Sequence, residues 1–373
     1  MSEHPFPLRS AVASYTPYTP GLSIDEIREK YALENVIKLA SNENPLGTSP
    51  LVLKRLATAS RSAFRYAQSG NPRLAAAIAA HIGIEPEHIV TGNGSDEIID
   101  LLIRAVPTPG KHNIVAADPS FSIYRLQSRL CDVEFRKVAL NADFSFNWQA
   151  MSEAVDENTA LVFLTMPDNP SGFCPPRSEV VAFMQSLPAS CLLIVDEAYI
   201  DFCDESGPFG SLLPDFFRFS NLVIMRTFSK SAGLAGLRLG YGVMPVALAD
   251  VLRAIKLPFS VNILAEEAGI AVLGDTVFLA KTLETVLTGR AFLARELSAL
   301  GCAVYPSQAN FLMFTPPASA PAAKDIFQRL LEKGVIIRPL ASYGMPGNLR
   351  VSIGTPQENA FFIDRLREIL THG

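Results

Sequence analysis

The chain has 373 residues, 49% of them hydrophobic, and a formal net charge of −5. That length exceeds one ordinary core and suggests two domains, and apolar residues spread along the whole chain exclude extensive disorder. The mild charge, without a basic block, argues against nucleic-acid binding, and no apolar run approaches the roughly 20 residues needed to span a membrane.

Five cysteines (Cys131, Cys174, Cys191, Cys203 and Cys302) form no C-x-x-C pair, and the five histidines form no H-E-x-x-H. The expectation is a reducing compartment, with neither structural disulfides nor a metal site. No secretory leader is visible at the N-terminus, so a cytoplasmic protein is expected.

Residues 1–50 are rich in Pro, Tyr, Ser and Asn, and residues 1–45 read as an N-terminal arm with one short helix at Ser23–Tyr31. A large domain over 46–258 is predicted to begin with helices at Pro50–Ser60 and Arg73–His81, the second rich in alanine. His88–Val90 reads as a strand leading into Thr91-Gly-Asn-Gly94-Ser95-Asp96-Glu97, and Asp96–Val106 as the helix that follows. Four buried-type strands come next, at Asn113–Ala116, Ala160–Thr165, Leu192–Val195 and Leu222–Met225. Helices at Ser122–Leu130, Arg177–Ser186 and around 210–218 lie between them, and Gly240–Val243 offers a further strand. Continuous apolar strands separated by helices predict an α/β fold with a mostly parallel sheet covered on both faces. A helical stretch from about 262 to 300 then leads through a smaller α+β domain, 259–373. Its strands are expected at Val304–Tyr305, Phe311–Phe314, Val335–Ile337 and Arg350–Ile353, and its helices at Ala323–Lys333 and Glu358–Leu370.

In parallel α/β sheets ligands bind outside the carboxyl ends of the strands, so the residues there carry the functional signal. After the first strand, two glycines and a helix start at Ser95 suit an anion, although an ordinary capped turn has the same appearance. After Ala160–Thr165, Pro167-Asp-Asn169-Pro170 holds an asparagine in a rigid turn. Leu192–Val195 ends in Asp196-Glu-Ala-Tyr199, and a carboxylate at the tip of a buried strand is costly unless a cation meets it. Leu222–Met225 leads to Thr227-Phe-Ser229-Lys230, with Arg238 further on. A desolvated lysine is a nucleophile for carbonyls; on this segment alone, a solvated basic loop explains the residues equally well.

An amine, an anion cradle with an arginine, a carboxylate and two neutral donors are what a pyridine aldehyde phosphate would use. Lys230 would form the imine, Ser95, Ser229 and Arg238 would lie at the phosphate, Asp196 at the ring nitrogen, and Asn169 and Tyr199 at the phenolate. Pro17-Tyr18-Thr-Pro-Gly21, Leu39-Ala-Ser-Asn42-Glu-Asn44-Pro-Leu-Gly47, the strand-end segments just described and Leu349-Arg350-Val-Ser-Ile-Gly354 occur in one chain. Over nearly the whole length this set resembles histidinol-phosphate aminotransferases, within the fold-type I class of pyridoxal-phosphate enzymes.

The resemblance implies pyridoxal 5'-phosphate on Lys230, paired by Asp196 and surrounded by Gly94, Ser95, Asp96, Asn169, Tyr199, Thr227, Ser229 and Arg238, with Tyr124 stacked on its ring. It implies a homodimer with shared active sites, in which Tyr66 reaches the neighbouring subunit's cofactor phosphate. This chain has Arg65-Tyr66-Ala67-Gln68 where the family commonly has Arg-Tyr-Pro. Arg338 and Arg350, with Tyr18 and Asn44, are the implied substrate contacts. The implied reaction is transamination of histidinol phosphate with 2-oxoglutarate, in histidine biosynthesis. Aromatic amino acid transamination and threonine-phosphate decarboxylation share the scaffold, and a non-catalytic ligand-binding protein is the alternative of another class.

Overall fold

In the computed structural model, which describes residues 8–13, 15, 22–204 and 206–371, strand β1 (Ile37–Lys38) lies outside the main sheet. The main sheet comprises β2 (Ile89–Asn93), β3 (Asn113–Asp118), β4 (Glu134–Ala139), β5 (Thr159–Thr165), β6 (Leu192–Asp196), β7 (Leu222–Thr227) and β8 (Leu239–Val243). Their spatial order is β2-β8-β7-β6-β5-β3-β4. All neighbours are parallel except at β8, which runs against both β2 and β7.

Strand side chains alternate between faces, and here each face has its own core. Val162, Leu164, Leu193, Val195, Leu222 and Ile224 pack into one cluster. Leu161, Phe163, Ile194, Val223 and Met225 pack into the other, with Ile98, Leu102 and Tyr124 from the covering helices. The same alternation separates the two adjacent acids at the end of β6. Glu197 continues the first face and is fully buried, held by Arg226 Nε at 3.0 Å and by Ser211 Oγ and the Leu212 amide. Asp196 turns to the face occupied by Tyr124.

The C-terminal residues add β9 (Ala303–Val304), β10 (Phe311–Thr315), β11 (Val335–Ile336), β12 (Arg338–Pro339) and β13 (Leu349–Ser352). Of these, β12-β13-β10-β9 form an antiparallel sheet. β1 joins this region by pairing in parallel with β11, and Ile27 and Ala40 pack with Leu331 and Ile336.

Several expected elements differ. β4 carries Glu134, Arg136 and Lys137 in six residues, so it gives no apolar run; it closes one sheet edge, where charge discourages pairing with another chain. The helix Val246–Ile255, between β8 and the second half, was not anticipated. The helical stretch from 262 to 300 is two helices, Ile263–Leu273 and Thr276–Ala299, broken where Asp275 accepts from the Phe278 amide and caps the second. The first of these lies beyond the expected division at 258/259, yet Ala265, Ala268 and Val272 pack with Leu74 and Ile78 in the core of the main sheet.

Gly240 and Gly242 leave one face of β8 bare, and the helix Ser95–Ala105 lies against it. A Cβ on Gly240 would stand 2.4 Å from the Ser95 nitrogen and 2.7 Å from the Gly94 carbonyl carbon, both unyielding backbone atoms. Gly240→Ala is therefore expected to cost about 1–3 kcal/mol of stability. Denaturant unfolding of the variant measures it, and an unchanged midpoint would contradict this packing.

Candidate active site

The reversal of β8 assembles the anion cradle. Because β8 is antiparallel, its first residue lies beside the last residues of its neighbours: Leu239 pairs with Asn93 and Gly240 with Thr227. Arg238, immediately before β8, thereby meets the helix start at Gly94-Ser95. Gly94 has φ 77°, and a Cβ there would lie 2.8 Å from Arg238 Nη2, so the close approach requires glycine. No side chain caps the first turn of the helix Ser95–Ala105, which leaves its amides and its dipole for an anion. Arg238 Nη2 donates to Asp96 Oδ2 at 3.0 Å. Burial raises the Asp96 carboxyl above its ordinary value, against the pull of Arg238 and Lys230. Thr227 Oγ1 accepts from the Ser229 amide and shapes the turn that carries Lys230.

These groups line a cavity of about 120 Å³ that also meets Phe121, Thr165, Asn169, Asp196, Ala198 and Tyr199. Asp196 is buried at the end of β6; burial pushes its carboxyl up to about 6, while hydrogen bonds from Tyr124 and the Ala198 amide hold it down. Lys230 Nζ lies 5.5 Å from the centre of the Tyr199 ring and donates to the Ser41 carbonyl at 3.3 Å. The Tyr199 hydroxyl accepts from Asn42 Nδ2 at 3.1 Å. Asn169 Oδ1 accepts from Arg350 Nη1, which leaves the amide nitrogen of Asn169 for a ligand acceptor. Arg350 also donates to the Ala40 carbonyl at 3.1 Å and stands over the Phe311 ring. Arg338 is opposite Arg350 in the β12–β13 register, and both side chains are buried, so two cations face the same way.

Two expected residues, Tyr124 and Asn44, stand away from their expected places. Tyr124 does not line the cavity: it is fully buried beneath it, stacked on Phe163 at 4.4 Å, and its hydroxyl is 2.8 Å from both Asp196 Oδ2 and Thr165 Oγ1. The aromatic at the cavity wall is Phe121, three residues earlier. Asn44 is also displaced from its expected substrate role. Its amide nitrogen is spent on the Ser231 carbonyl (2.8 Å) and Thr282 Oγ1 (3.1 Å), and its oxygen on the Leu46 amide. Tyr66 is 81% exposed and stacked on Phe259, away from this chain's cavity. Tyr18 lies outside the described residues. Asn42, in the left-handed region at φ 56°, is the asparagine that reaches Tyr199, and its only signal in the sequence is the Asn42-Glu-Asn44 pair.

The family described as "Aminotransferase class I and II" matches residues 34–366. The chain belongs to that aminotransferase family. Two relatives of this aminotransferase are named histidinol-phosphate aminotransferase. The one from Nitratidesulfovibrio vulgaris strain Hildenborough is 59% identical, covering 99% of this chain and 98% of its own. The one from Oleidesulfovibrio alaskensis is 57% identical, covering 97% and 95%. A crystal structure of histidinol-phosphate aminotransferase from Sinorhizobium meliloti, in complex with pyridoxal-5'-phosphate, superposes with a TM-score of 0.88 at 26% identity. It covers 98% of each chain.

The donor set of this aminotransferase fits such a cofactor. A buried carboxylate lies across the cavity from a lysine, and a glycine-lined helix start with an arginine closes one end. In the cofactor-free protein, Asp196 takes up its proton in the folded state near pH 6 but in the unfolded chain only near pH 4. Between those values the folded state holds the proton that the unfolded state releases, so this group's contribution to stability falls as pH rises. Asp196→Asn removes that slope. Its stability relative to wild type is expected to improve by about 3 kcal/mol from pH 4 to pH 7 in paired denaturant titrations. A pH-independent difference would contradict it.

Proposed function

We propose that this aminotransferase carries pyridoxal 5'-phosphate on Lys230 and transfers the amino group of histidinol phosphate to 2-oxoglutarate, as a cytoplasmic homodimer serving histidine biosynthesis. The observation that carries the reading is the opposition of Lys230 and the buried Asp196 carboxylate across one small cavity. The names of two relatives with near-complete coverage point to the substrate.

When bound, the cofactor supplies an aldehyde that condenses with amines and a ring that takes up the electron pair left when a substrate Cα–H bond breaks. Lys230 Nζ would hold the cofactor, and its amine, when free, would be the base placed to remove and return the Cα proton. Asp196 supplies the charge that keeps a ring nitrogen protonated. The Tyr199 hydroxyl already accepts from Asn42, so its own proton is left for a cofactor oxygen, and Asn169 Nδ2 supplies a second donor. The Ser95 amide and hydroxyl, Ser229 and Arg238 take the phosphate, with Gly94, Asp96 and Thr227 shaping the cradle, and Phe121 covers the ring. Arg350 and Arg338 hold the anionic end of the substrate, for which two planar cations suit a phosphate.

Tyr66, with the exposed Phe64 and Leu257, forms the apolar surface that a second copy covers, and there Tyr66 reaches the other copy's cofactor phosphate. No described helix is long and apolar enough to cross a membrane, and all five cysteines are free.

Steady-state assays with histidinol phosphate, phenylalanine and threonine phosphate, each with and without 2-oxoglutarate, test the substrate. Turnover is expected with histidinol phosphate and only when the acceptor is present. Acceptor-independent loss of carbon dioxide from threonine phosphate, or a preference for phenylalanine, would replace this reading. Lys230→Ala is expected to lower turnover by on the order of 10³-fold or more. Full turnover in that variant would overturn the mechanism.

A further inference from the structure

Asp196 has a partner whose place in the structure gives it a task. Strand alternation puts Thr165 of β5 and Asp196 of β6 on one face, and the two are register partners. The helix Ile123–Leu130 brings Tyr124 under both, with its hydroxyl 2.8 Å from Thr165 Oγ1 and 2.8 Å from Asp196 Oδ2. An ionised carboxylate only accepts, so the single phenolic proton of Tyr124 goes to Asp196, and the phenolic oxygen accepts from Thr165. Stacking on Phe163, with 15° between the ring planes, fixes where the hydroxyl sits, and no solvent competes for it. The other carboxylate oxygen accepts from the Ala198 amide at 3.1 Å. Each oxygen thus has one fixed donor, and the lone pairs left over face the cavity.

We propose that Tyr124 is a positioning residue for Asp196: its buried hydroxyl holds the carboxylate ionised and in one orientation toward a ring nitrogen. The proposal rests on the cofactor reading given under Proposed function. Tyr124 touches no reacting atom; it acts through Asp196. Burial and the neighbouring negative charges of Asp196 and Asp168 keep the phenol protonated, so it remains a donor. Around Asp196, Asp96 on the helix after β2 opposes ionisation, and Lys230 after β7 favours it. Among the described residues, Tyr124 is the side chain that does so by a direct hydrogen bond.

The test is Tyr124→Phe in the full-length chain, which deletes one oxygen and keeps the stacked ring. Affinities of the cofactor-freed protein are measured for pyridoxal phosphate and for its 1-deaza analogue, which has carbon in place of the ring nitrogen. Wild type should prefer the natural cofactor, and the variant should lose that preference by about tenfold, the scale of one hydrogen bond to a charged group. The variant's stability deficit should also grow as pH rises through 6, because an Asp196 without its donor stays protonated to higher pH in the folded state. Thr165→Val, which leaves the donation from Tyr124 to Asp196 intact, should keep the preference.

An equal loss of affinity for both ligands with a pH-independent deficit would reduce Tyr124 to packing and overturn the proposal. Loss of the preference in Thr165→Val with retention in Tyr124→Phe would overturn it as well. Failure of wild type to bind either ligand would instead overturn the cofactor reading, so the two failures are distinguishable.

Discussion

A carboxylate taken out of water at the end of β6 is the constraint around which this site is arranged. An isolated buried charge is expensive, and the protein answers with two hydrogen bonds, from Tyr124 and from the Ala198 amide, and with the attraction of Lys230 across the cavity. The group therefore stays poised near the middle of the pH range, and a protonated ring nitrogen would relieve the cost. Glu197, one residue on, shows the contrast: it is equally buried but permanently paired with Arg226 on the other face of the sheet. Adjacent acids in the sequence thus divide into a structural ion pair and a charge held ready for a ligand, and strand alternation alone makes the division.

The rest of the site follows from sheet topology. Parallel strands deliver Asn169, Asp196 and Lys230 to one edge, and the antiparallel β8 brings Arg238 to that same edge from the opposite direction. A β8 parallel to its neighbours would have placed Arg238 at the far end of the sheet. The bare glycine face of β8 then lets the helix start at Ser95 come close enough to complete the cradle.

This logic explains what was legible in the sequence. Lys230, Asp196, Asn169 and Arg238 stand directly beside apolar strands, so strand recognition and the rule about carboxyl ends located them together. Tyr124 and Phe121 are three residues apart at a helix start and both point toward the sheet; which one faces the cavity is a matter of depth, and nothing in the local sequence encodes depth. Asn42 and Asn44 share one motif, and only the left-handed turn at Asn42 decides that the first reaches Tyr199 while the second ties down the loop at Ser231. β4 was illegible because an edge strand defended by charge has no apolar run. The helix break at Asp275 was missed because its capping role depends on Phe278 and on Ser49, which donates to the same carboxylate from far away in sequence.

The pairing of β1 with β11 has a consequence for how the protein comes into being. Residues near the start of the chain find their strand partner only when residues near its end exist, whereas the main-sheet core draws on a continuous middle stretch. The middle stretch can gather its apolar surface before the distant β1 and β11 segments meet. Asn42 belongs to the β1 segment, and so does Ser41, which meets Lys230. The lysine and the carboxylate thus belong to one contiguous unit, whereas Asn42, which orients Tyr199, is held in place by Asn310 and Ser352 from the other half of the fold.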